Sequence, residues 1–215
     1  MAGSKKSEAQ LEKAIVENPD ELNAHLAYAD WQTQQGNPLG EFIRVQLALE
    51  DFKRPAQERE ELAQREKEFL GAHGRVWLGD LAPFLLDQEG LVELPHWASE
   101  PPMRGRKYGF AFRRGWLAHL YVPVLTVEFS RALVKAREAR MLENLDICGE
   151  AEETARKDFP AGKDVPKDVL HACYYPLLKC PYLGNVRRFV IGEWGSLSTN
   201  TSAELLVPLL QLILK

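Results

Sequence analysis

The spacing of apolar residues changes near residue 110, and this change limits the chain to a mixed α/β fold. In residues 1–74 apolar side chains recur every three or four positions, as in amphipathic helices. In residues 110–122 they alternate with period two and are rich in aromatic residues, as in strands. We therefore predict a helical module at 1–74, a connector at 75–109 with a short helix and one strand, and a strand-and-helix region at 110–215.

Helix-capping and helix-breaking residues divide the helical module into four helices. Ser7 and Gln10 form a capping-box pattern at the start of the first helix, and Asn18-Pro19 ends it. Gly36 is suited to end the second helix, because glycine adopts positive φ without a Cβ clash. We expect the second helix to bury an apolar stripe made of Leu22, Leu26 and Ala29, with Tyr28 a further candidate.

The third helix has a regular apolar face, and the fourth is heavily charged. The face of the third helix is expected to consist of Phe42, Val45, Leu49 and Phe52. Pro55 opens the fourth helix, and Gly71 or Gly74 is expected to end it.

The second half alternates strands and helices. Phe110–Phe112 and Trp116–Val122 are predicted strands around an Arg113-Arg114-Gly115 break. A loop or insertion is expected at 150–168, because this stretch is charged and carries three proline or glycine residues. The further predicted elements are helices at 126–141, 169–180 and 202–214, and strands at 142–147 and 185–191.

Composition is that of an ordinary globular protein. Hydrophobic residues make up 45% and charged residues 27% of the 215 residues, which argues against global disorder. The three cysteines show no disulfide pattern, so we expect a reducing, cytoplasmic setting. The N-terminus lacks the apolar segment of a signal peptide, and no stretch is apolar for the roughly 18 residues of a membrane span. No membrane partner is expected.

Charge is unevenly placed along the chain. The first 100 residues hold 19 acidic and 10 basic side chains, whereas residues 104–140 hold nine basic and two acidic ones. Two explanations stay open: the two parts pack with complementary faces, or the basic segment binds an anionic partner. Basic and aromatic side chains interleave in this segment, which would suit single-stranded nucleic acid. The alternative is a β-hairpin whose aromatic side chains face the core and whose arginines meet the acidic helical module.

No catalytic, cofactor or metal motif is evident. His171, Cys173 and Cys180 lack a fourth ligand at zinc spacing, and no cysteine carries the sequence signature of a nucleophile. Gly36 and Gly40 do not form a phosphate loop, because no Lys-Ser/Thr pair follows them. Asp30 and Glu41 are conceivable as a general acid and base. We favour instead an ion pair between Asp30 and Arg44, or a backbone cap, that fixes two helices in one geometry. The chain is expected not to be an enzyme.

Residues 14–49 resemble the bacterial repeat-companion domain, a helical module commonly found ahead of leucine-rich repeats. The residues that carry the resemblance are Leu26, Tyr28, Ala29, Asp30, Trp31, Gly36, Asn37, Gly40, Glu41, Phe42, Ile43, Arg44 and Gln46. Two departures are Gln32-Thr33, where leucine usually follows the tryptophan, and Leu39, where arginine is common. Neither removes a glycine or an aromatic residue of the pattern.

Two later segments are similar to the L-x-x-L-x-L strand of leucine-rich repeats. They are Leu142, Leu145 and Ile147 in the first segment, and Leu183, Val186, Phe189 and Ile191 in the second. Their separation exceeds one ordinary repeat, so an insertion around 150–166 is required, and the asparagine expected after the strand is absent. The resemblance implies a short, irregular, leucine-rich-repeat-like strand/helix solenoid after the helical module.

The function implied is protein binding in a bacterial, cytoplasmic setting, as an adaptor or as a regulator or inhibitor of an enzyme. The expected contact surface is the repeat sheet face together with the basic segment. Arginine and tryptophan are enriched at interface hot spots. The candidate contact residues are therefore Arg113, Arg114, Arg187, Arg188 and Trp194. The alternative function is a nucleic-acid-associated accessory factor that binds through residues 104–140.

Overall fold

A computed structural model describes residues 7–87, 92–93, 108–123, 125–147 and 176–191. The chain forms two compact units. The first comprises Met1–Trp77 and Phe112–Trp116, and the second comprises Leu78–Ala111 and Leu117–Lys215. The predicted loop at 150–168, the predicted helix at 202–214 and residues 169–175 of another predicted helix lie outside the described residues.

Four helices build the first unit: α1 (Glu8–Glu17), α2 (Leu22–Gln34), α3 (Leu39–Leu49) and α4 (Ala56–Leu78), whose last residue belongs to the second unit. The backbone amide of Ser7 donates to Gln10 Oε1 at 2.9 Å, which is one half of the predicted capping box. Gly36 follows α2 with φ of +72°, as predicted. The four predicted helices are therefore confirmed.

Helix α4 does not end at Gly71 or Gly74, and that prediction is wrong. Both glycines lie inside the helix. Continuation brings Trp77 onto Phe42, with ring centroids 4.6 Å apart and planes 29° apart. Aromatic packing of this kind offsets the roughly 1 kcal/mol that a glycine costs in a helix interior.

The buried face of α2 matches the prediction at Ala29 and Tyr28 and differs from it at Leu22 and Leu26. Leu22 is 48% exposed and Leu26 37% exposed, whereas the buried residues are His25, Tyr28, Ala29 and Gln32. The ring of Trp116 stacks on Tyr28 at 5.0 Å, which fixes the face that α2 turns inward. The predicted face of α3 is wrong at its end, because Phe52 lies beyond the helix and is 70% exposed.

A hairpin links the two units covalently. Strands β2 (Gly109–Arg113) and β3 (Trp116–Val122) flank a turn at Arg114 and Gly115, as predicted. Both turn residues have positive φ, +52° and +82°, as a two-residue type I′ hairpin turn requires. A Cβ on Gly115 would lie 2.2 Å from Ile43 Cγ1, so only glycine fits. We call Phe112–Trp116 the hairpin tip.

The second unit contains most of a five-stranded mixed sheet in the order β1-β2-β3-β4-β5. The other strands are β1 (Val92–Glu93), β4 (Asn144–Ile147) and β5 (Arg188–Ile191), and the helices are α5 (Ala82–Leu86) and α6 (Val127–Lys135). Strands β3, β4 and β5 are parallel, and β1 is parallel to β2. The predicted α/β class and the predicted strands at 142–147 and 185–191 are confirmed. The predicted helix at 126–141 is α6 followed by a 3₁₀ turn.

The three parallel strands repeat one local pattern. The register aligns Leu120 with Leu145 and Phe189, and Val122 with Ile147 and Ile191. In the sequence, Leu117, Leu142 and Val186 stand three residues before the first of these positions in each segment. The amide of Glu143 donates to Ala118 O at 2.8 Å, and the amide of Arg187 donates to Glu143 O at 2.8 Å. A 3₁₀ turn precedes both β4 and β5. The same backbone bonds thus recur from strand to strand.

Candidate functional site

The residues of the repeat-companion-like motif hold helices α2, α3 and α4 together. Arg44 pairs with Asp30, which confirms the favoured interpretation of Asp30. Glu41 pairs with Arg65 of α4. All four side chains are about half exposed, and exposed ion pairs each contribute only about 0–1 kcal/mol. Their role is to select a geometry more than to supply stability.

The close approach of α2 and α3 depends on the short loop between them. A Cβ on Gly40 would lie 2.5 Å from the carbonyl oxygen of Ala29, so the two backbones meet at a glycine. Asn37 donates from Nδ2 to Gln32 Oε1 at 2.7 Å and accepts from the amide of Leu39 at 3.0 Å. The aromatic motif residues Tyr28 and Phe42 are buried, and Trp31 is half buried. The motif is thus a packing arrangement.

Gln46 holds the hairpin tip within the first unit. Its Nε2 donates to the carbonyl oxygen of Phe112 at 3.1 Å and to Glu66 Oε1 at 2.7 Å. Its Oε1 accepts from the amide of Gly115 at 2.6 Å. Gln46 is buried, and its two bonds to the tip are bonds that a leucine would not make. Gln46 is a residue of the motif, but this role was not predicted from the sequence.

Arg114 lies at the centre of a charge cluster in which its own side chain is buried and those of Arg113 and Glu50 are half buried. Its Nε and one terminal nitrogen donate to the two carboxylate oxygens of Glu50 at 2.8 and 2.7 Å. Its other terminal nitrogen donates to the carbonyl oxygen of Pro19 at 3.1 Å. Arg113 Nε lies 3.5 Å from the same Glu50 carboxylate. Arg114 was predicted to contact a protein partner. It is only 7% exposed, and its side chain binds residues of the first unit instead.

Two titratable groups of this cluster have shifted pKa values. Burial alone would raise the pKa of Glu50, but the hydrogen bond from Arg114 and the charges of Arg114, Arg113 and His25 lower it below its usual value. Burial lowers the pKa of His25, against the opposing effect of its hydrogen bond with Pro19 O at 2.8 Å. His25 is one of five histidines scattered along the chain without a shared spacing, and nothing in the sequence indicates this contact.

The described aromatic residues of the basic segment face the core. Phe112 packs edge-on against Phe42 at 5.7 Å, Trp116 stacks on Tyr28, and Phe110 is buried. These rings are not available to stack on nucleotide bases. The hairpin alternative is confirmed for Phe112, Trp116 and Arg114, while Arg104, Arg106 and Lys107 lie outside the described residues.

A buried histidine–carboxylate pair joins two strands in the second unit. His119 Nε2 lies 3.0 Å from Asp146 Oδ2, with His119 6% exposed and Asp146 1% exposed. Strand register places both side chains on one face of the sheet, because Asp146 is opposite Tyr121. Asp146 Oδ1 is buried without a hydrogen-bond partner among the described residues. This pair was not predicted from the sequence, because its members are 27 residues apart.

Two predicted contact residues lie together at the start of β5. Arg187 is exposed, and Arg188, Phe189 and Val190 are half exposed. The aligned positions Leu120 and Leu145 are fully buried where Phe189 is not. Trp194 lies outside the described residues. We call Arg187–Val190 the β5 surface.

The described parts of the chain hold no group of three His, Cys, Asp or Glu side chains placed to bind a metal ion. Burial raises the pKa of the Cys180 thiol, which keeps that sulfur protonated and unreactive. His171 and Cys173 lie outside the described residues. Within the ranges described here, no helix is long and apolar enough to cross a bilayer.

Comparisons of the chain with protein-family models, with curated proteins and with solved structures found no significant match.

Proposed function

We propose that the protein is a non-enzymatic protein-binding module, an adaptor or a regulator of an enzyme, that binds its partner through the β5 surface. In this proposal the helical part is a repeat-companion-like module, and β3–β5 are a short leucine-rich-repeat-like stack. The observation that carries the proposal is the repetition of one apolar pattern and one backbone hydrogen-bond pattern over three register-aligned parallel strands.

Stacked strand units favour binding because each unit buries its apolar face only against neighbours. On β5 the position that aligns with the buried Leu120 and Leu145 is Phe189, which is half exposed. The β5 surface combines this half-exposed aromatic ring with Arg187 and Arg188. Aromatic and arginine side chains are enriched among the residues that dominate binding energy at protein interfaces.

Cellular setting and partner class are parts of the same proposal. The three cysteines without a disulfide pattern support a reducing, cytoplasmic location. The bacterial setting rests on the resemblance of residues 14–49 to the bacterial repeat-companion domain. The burial of Phe110, Phe112 and Trp116 gives no support to nucleic-acid stacking through the hairpin. A fold of this kind does not by itself specify a function, so the partner must be captured.

The test is an affinity capture from cell lysate at low and high salt, with and without nuclease. Wild type is compared with the double variant Arg187→Glu/Arg188→Glu. The matched control is Lys13→Glu/Lys67→Glu, which makes the same charge change on exposed side chains of α1 and α4. We expect one defined protein partner that survives nuclease and high salt, is lost with the β5 variant and is kept with the control.

Two other outcomes would contradict the proposal. Nucleic acid recovered at low salt and lost steeply at high salt would indicate phosphate binding. A protein partner that both charge variants retain equally would place the contact surface away from β5.

A further inference from the structure

We propose that Pro19, His25, Glu50 and Arg114 form an acid-sensitive latch that holds the hairpin tip on the helices of the first unit at neutral pH and releases it on acidification. All four residues belong to the first unit. The latch is independent of the β5 surface, which lies in the second unit.

One carbonyl oxygen connects the components of the latch. Pro19 O accepts from His25 Nε2 at 2.8 Å and from a terminal nitrogen of Arg114 at 3.1 Å. Because a carbonyl oxygen only accepts, the proton of neutral His25 lies on Nε2. Nδ1 of His25 is then an acceptor, and it is buried without a hydrogen-bond partner among the described residues. A second proton on Nδ1 would create a buried donor with no acceptor.

The surrounding charges oppose that second proton on balance. The charged groups that act on His25 are Arg114, Arg113 and Glu50. The single carboxylate of Glu50 already binds both nitrogens of Arg114 and lies 3.5 Å from Arg113. A charged His25 would be a third cation beside one carboxylate, in a site where Arg114 is almost fully buried.

Release of the tip relieves this repulsion. Arg114 belongs to the tip and is only 7% exposed, so release of the tip carries its guanidinium away from His25 and into water. Outside the folded site, both the imidazolium and the guanidinium regain hydration. Protonation therefore favours the conformation in which the tip has left the helices.

The direction of the pH effect follows from proton linkage. The pKa of His25 in the folded unit is below its ordinary value of 6.5, so the released form binds more protons as the pH falls through that range. The pKa of Glu50 is also lowered, and its contribution is lost in the same direction at a lower pH. Both groups stabilise the closed latch at neutral pH, and His25 is the first to act on acidification.

Hydrogen exchange of the full chain tests the latch directly. The amide of Gly115 donates to Gln46 Oε1, so its protection reports whether the tip is in place. We expect the tip to lose protection, after correction for the intrinsic exchange rate, by up to about tenfold per pH unit as the pH falls from the ordinary histidine pKa of 6.5 towards the lowered pKa of His25. Peptides from the middle of α4 provide the internal reference and should keep their protection.

Two variants separate His25 from other causes. His25→Gln keeps a donor for Pro19 O and removes the titration, so tip protection should become independent of pH in this window. His73→Gln is the control, because His73 lies in α4 beside Phe69 and Trp77 and should keep the wild-type response. A pH-dependent loss that persists in His25→Gln would overturn the proposal.

The wild-type profile decides the matter if His25→Gln does not fold. Equal tip protection at neutral and mildly acidic pH would disprove the latch. A loss of protection spread evenly over α1 to α4 would also disprove it, because it would mean that acid unfolds the whole first unit and does not release the tip.

Discussion

At the residue scale, two glycines of the first unit differ in the space around them. Gly40 is closely packed, whereas Gly71 has open space beside it. Gly40→Ala places a Cβ 2.5 Å from the backbone oxygen of Ala29, and we expect it to lower the free energy of unfolding by about 1–3 kcal/mol. Gly71→Ala meets nothing within 4 Å inside α4, and we expect it to raise that free energy by about 0.5–1 kcal/mol. Urea unfolding followed by circular dichroism measures both. Changes of the same sign would contradict the packing described between α2 and α3.

Substitution of two arginines of the first unit, Arg114 and Arg44, is expected to change the free energy of unfolding by different amounts. Arg114→Ala leaves the Glu50 carboxylate without its two-pronged partner in a largely buried site, so we expect a loss of about 2–4 kcal/mol. Arg44→Ala removes an ion pair whose side chains are about half exposed, so we expect a loss of about 0–1 kcal/mol. The free energies of unfolding of the two variants give the comparison. An equal loss in both would mean that burial of Arg114 contributes nothing.

Residue-scale chemistry was predictable from the sequence only where the partners are close along the chain. The Asp30–Arg44 pair spans two adjacent helices and could be inferred from the helix order. The partner of Arg114 is Glu50, 64 residues earlier, and the sequence left open whether the arginine meets the helical module or a ligand. His25 gave no signal because its contact is a backbone oxygen, which every residue offers.

At the element scale, the His119–Asp146 pair ties β3 to β4 by side chains. Asp146→Ala leaves a buried histidine without its partner, and we expect a loss of about 3 kcal/mol or more. The double variant His119→Leu/Asp146→Val replaces the pair with apolar groups and should cost much less than the sum of the single changes. A double-mutant cycle on unfolding free energies measures the coupling. Additive single changes would show that the two strands are not joined by this pair.

Element boundaries were predictable where a local signal fixes them. Gly36 ends α2 and Gly115 turns the hairpin, because positive φ at those points needs a residue that tolerates it. The buried face of α2 was not predictable from its own apolar residues. Leu22 and Leu26 are exposed because Trp116, far along the chain, stacks on Tyr28 and sets the rotation of the helix.

At the scale of the whole molecule, the first unit is discontinuous in sequence. Its core includes Phe112 and Trp116 from the hairpin tip, which enters 34 residues after α4 has ended at Leu78. The predicted domain boundaries lie where the composition changes, and no change of composition marks the return of five residues to an earlier unit. The parallel pairing of β3, β4 and β5 is likewise shown by the strand register in the structure. The repeated apolar pattern in the sequence suggested this pairing but did not establish it.

The discontinuity predicts how a fragment behaves. A fragment of residues 1–78 lacks the tip, so Gln46 loses its bonds to Phe112 O and to the amide of Gly115. We expect hydrogen exchange to show weaker protection of α2 and α3 in this fragment than in the full chain, because the ring contacts with the tip are lost as well.

The substitution Gln46→Ala can be compared in the full chain and in the 1–78 fragment. In the full chain the substitution should lower the protection of α2 and α3 by an amount equivalent to about 1–3 kcal/mol, because it leaves buried tip groups without partners. In the 1–78 fragment the same substitution should change little, since only the bond to Glu66 remains to be lost. Equal effects of Gln46→Ala in both chains would show that the tip is no part of the first unit, and that the helices α1–α4 are complete without it.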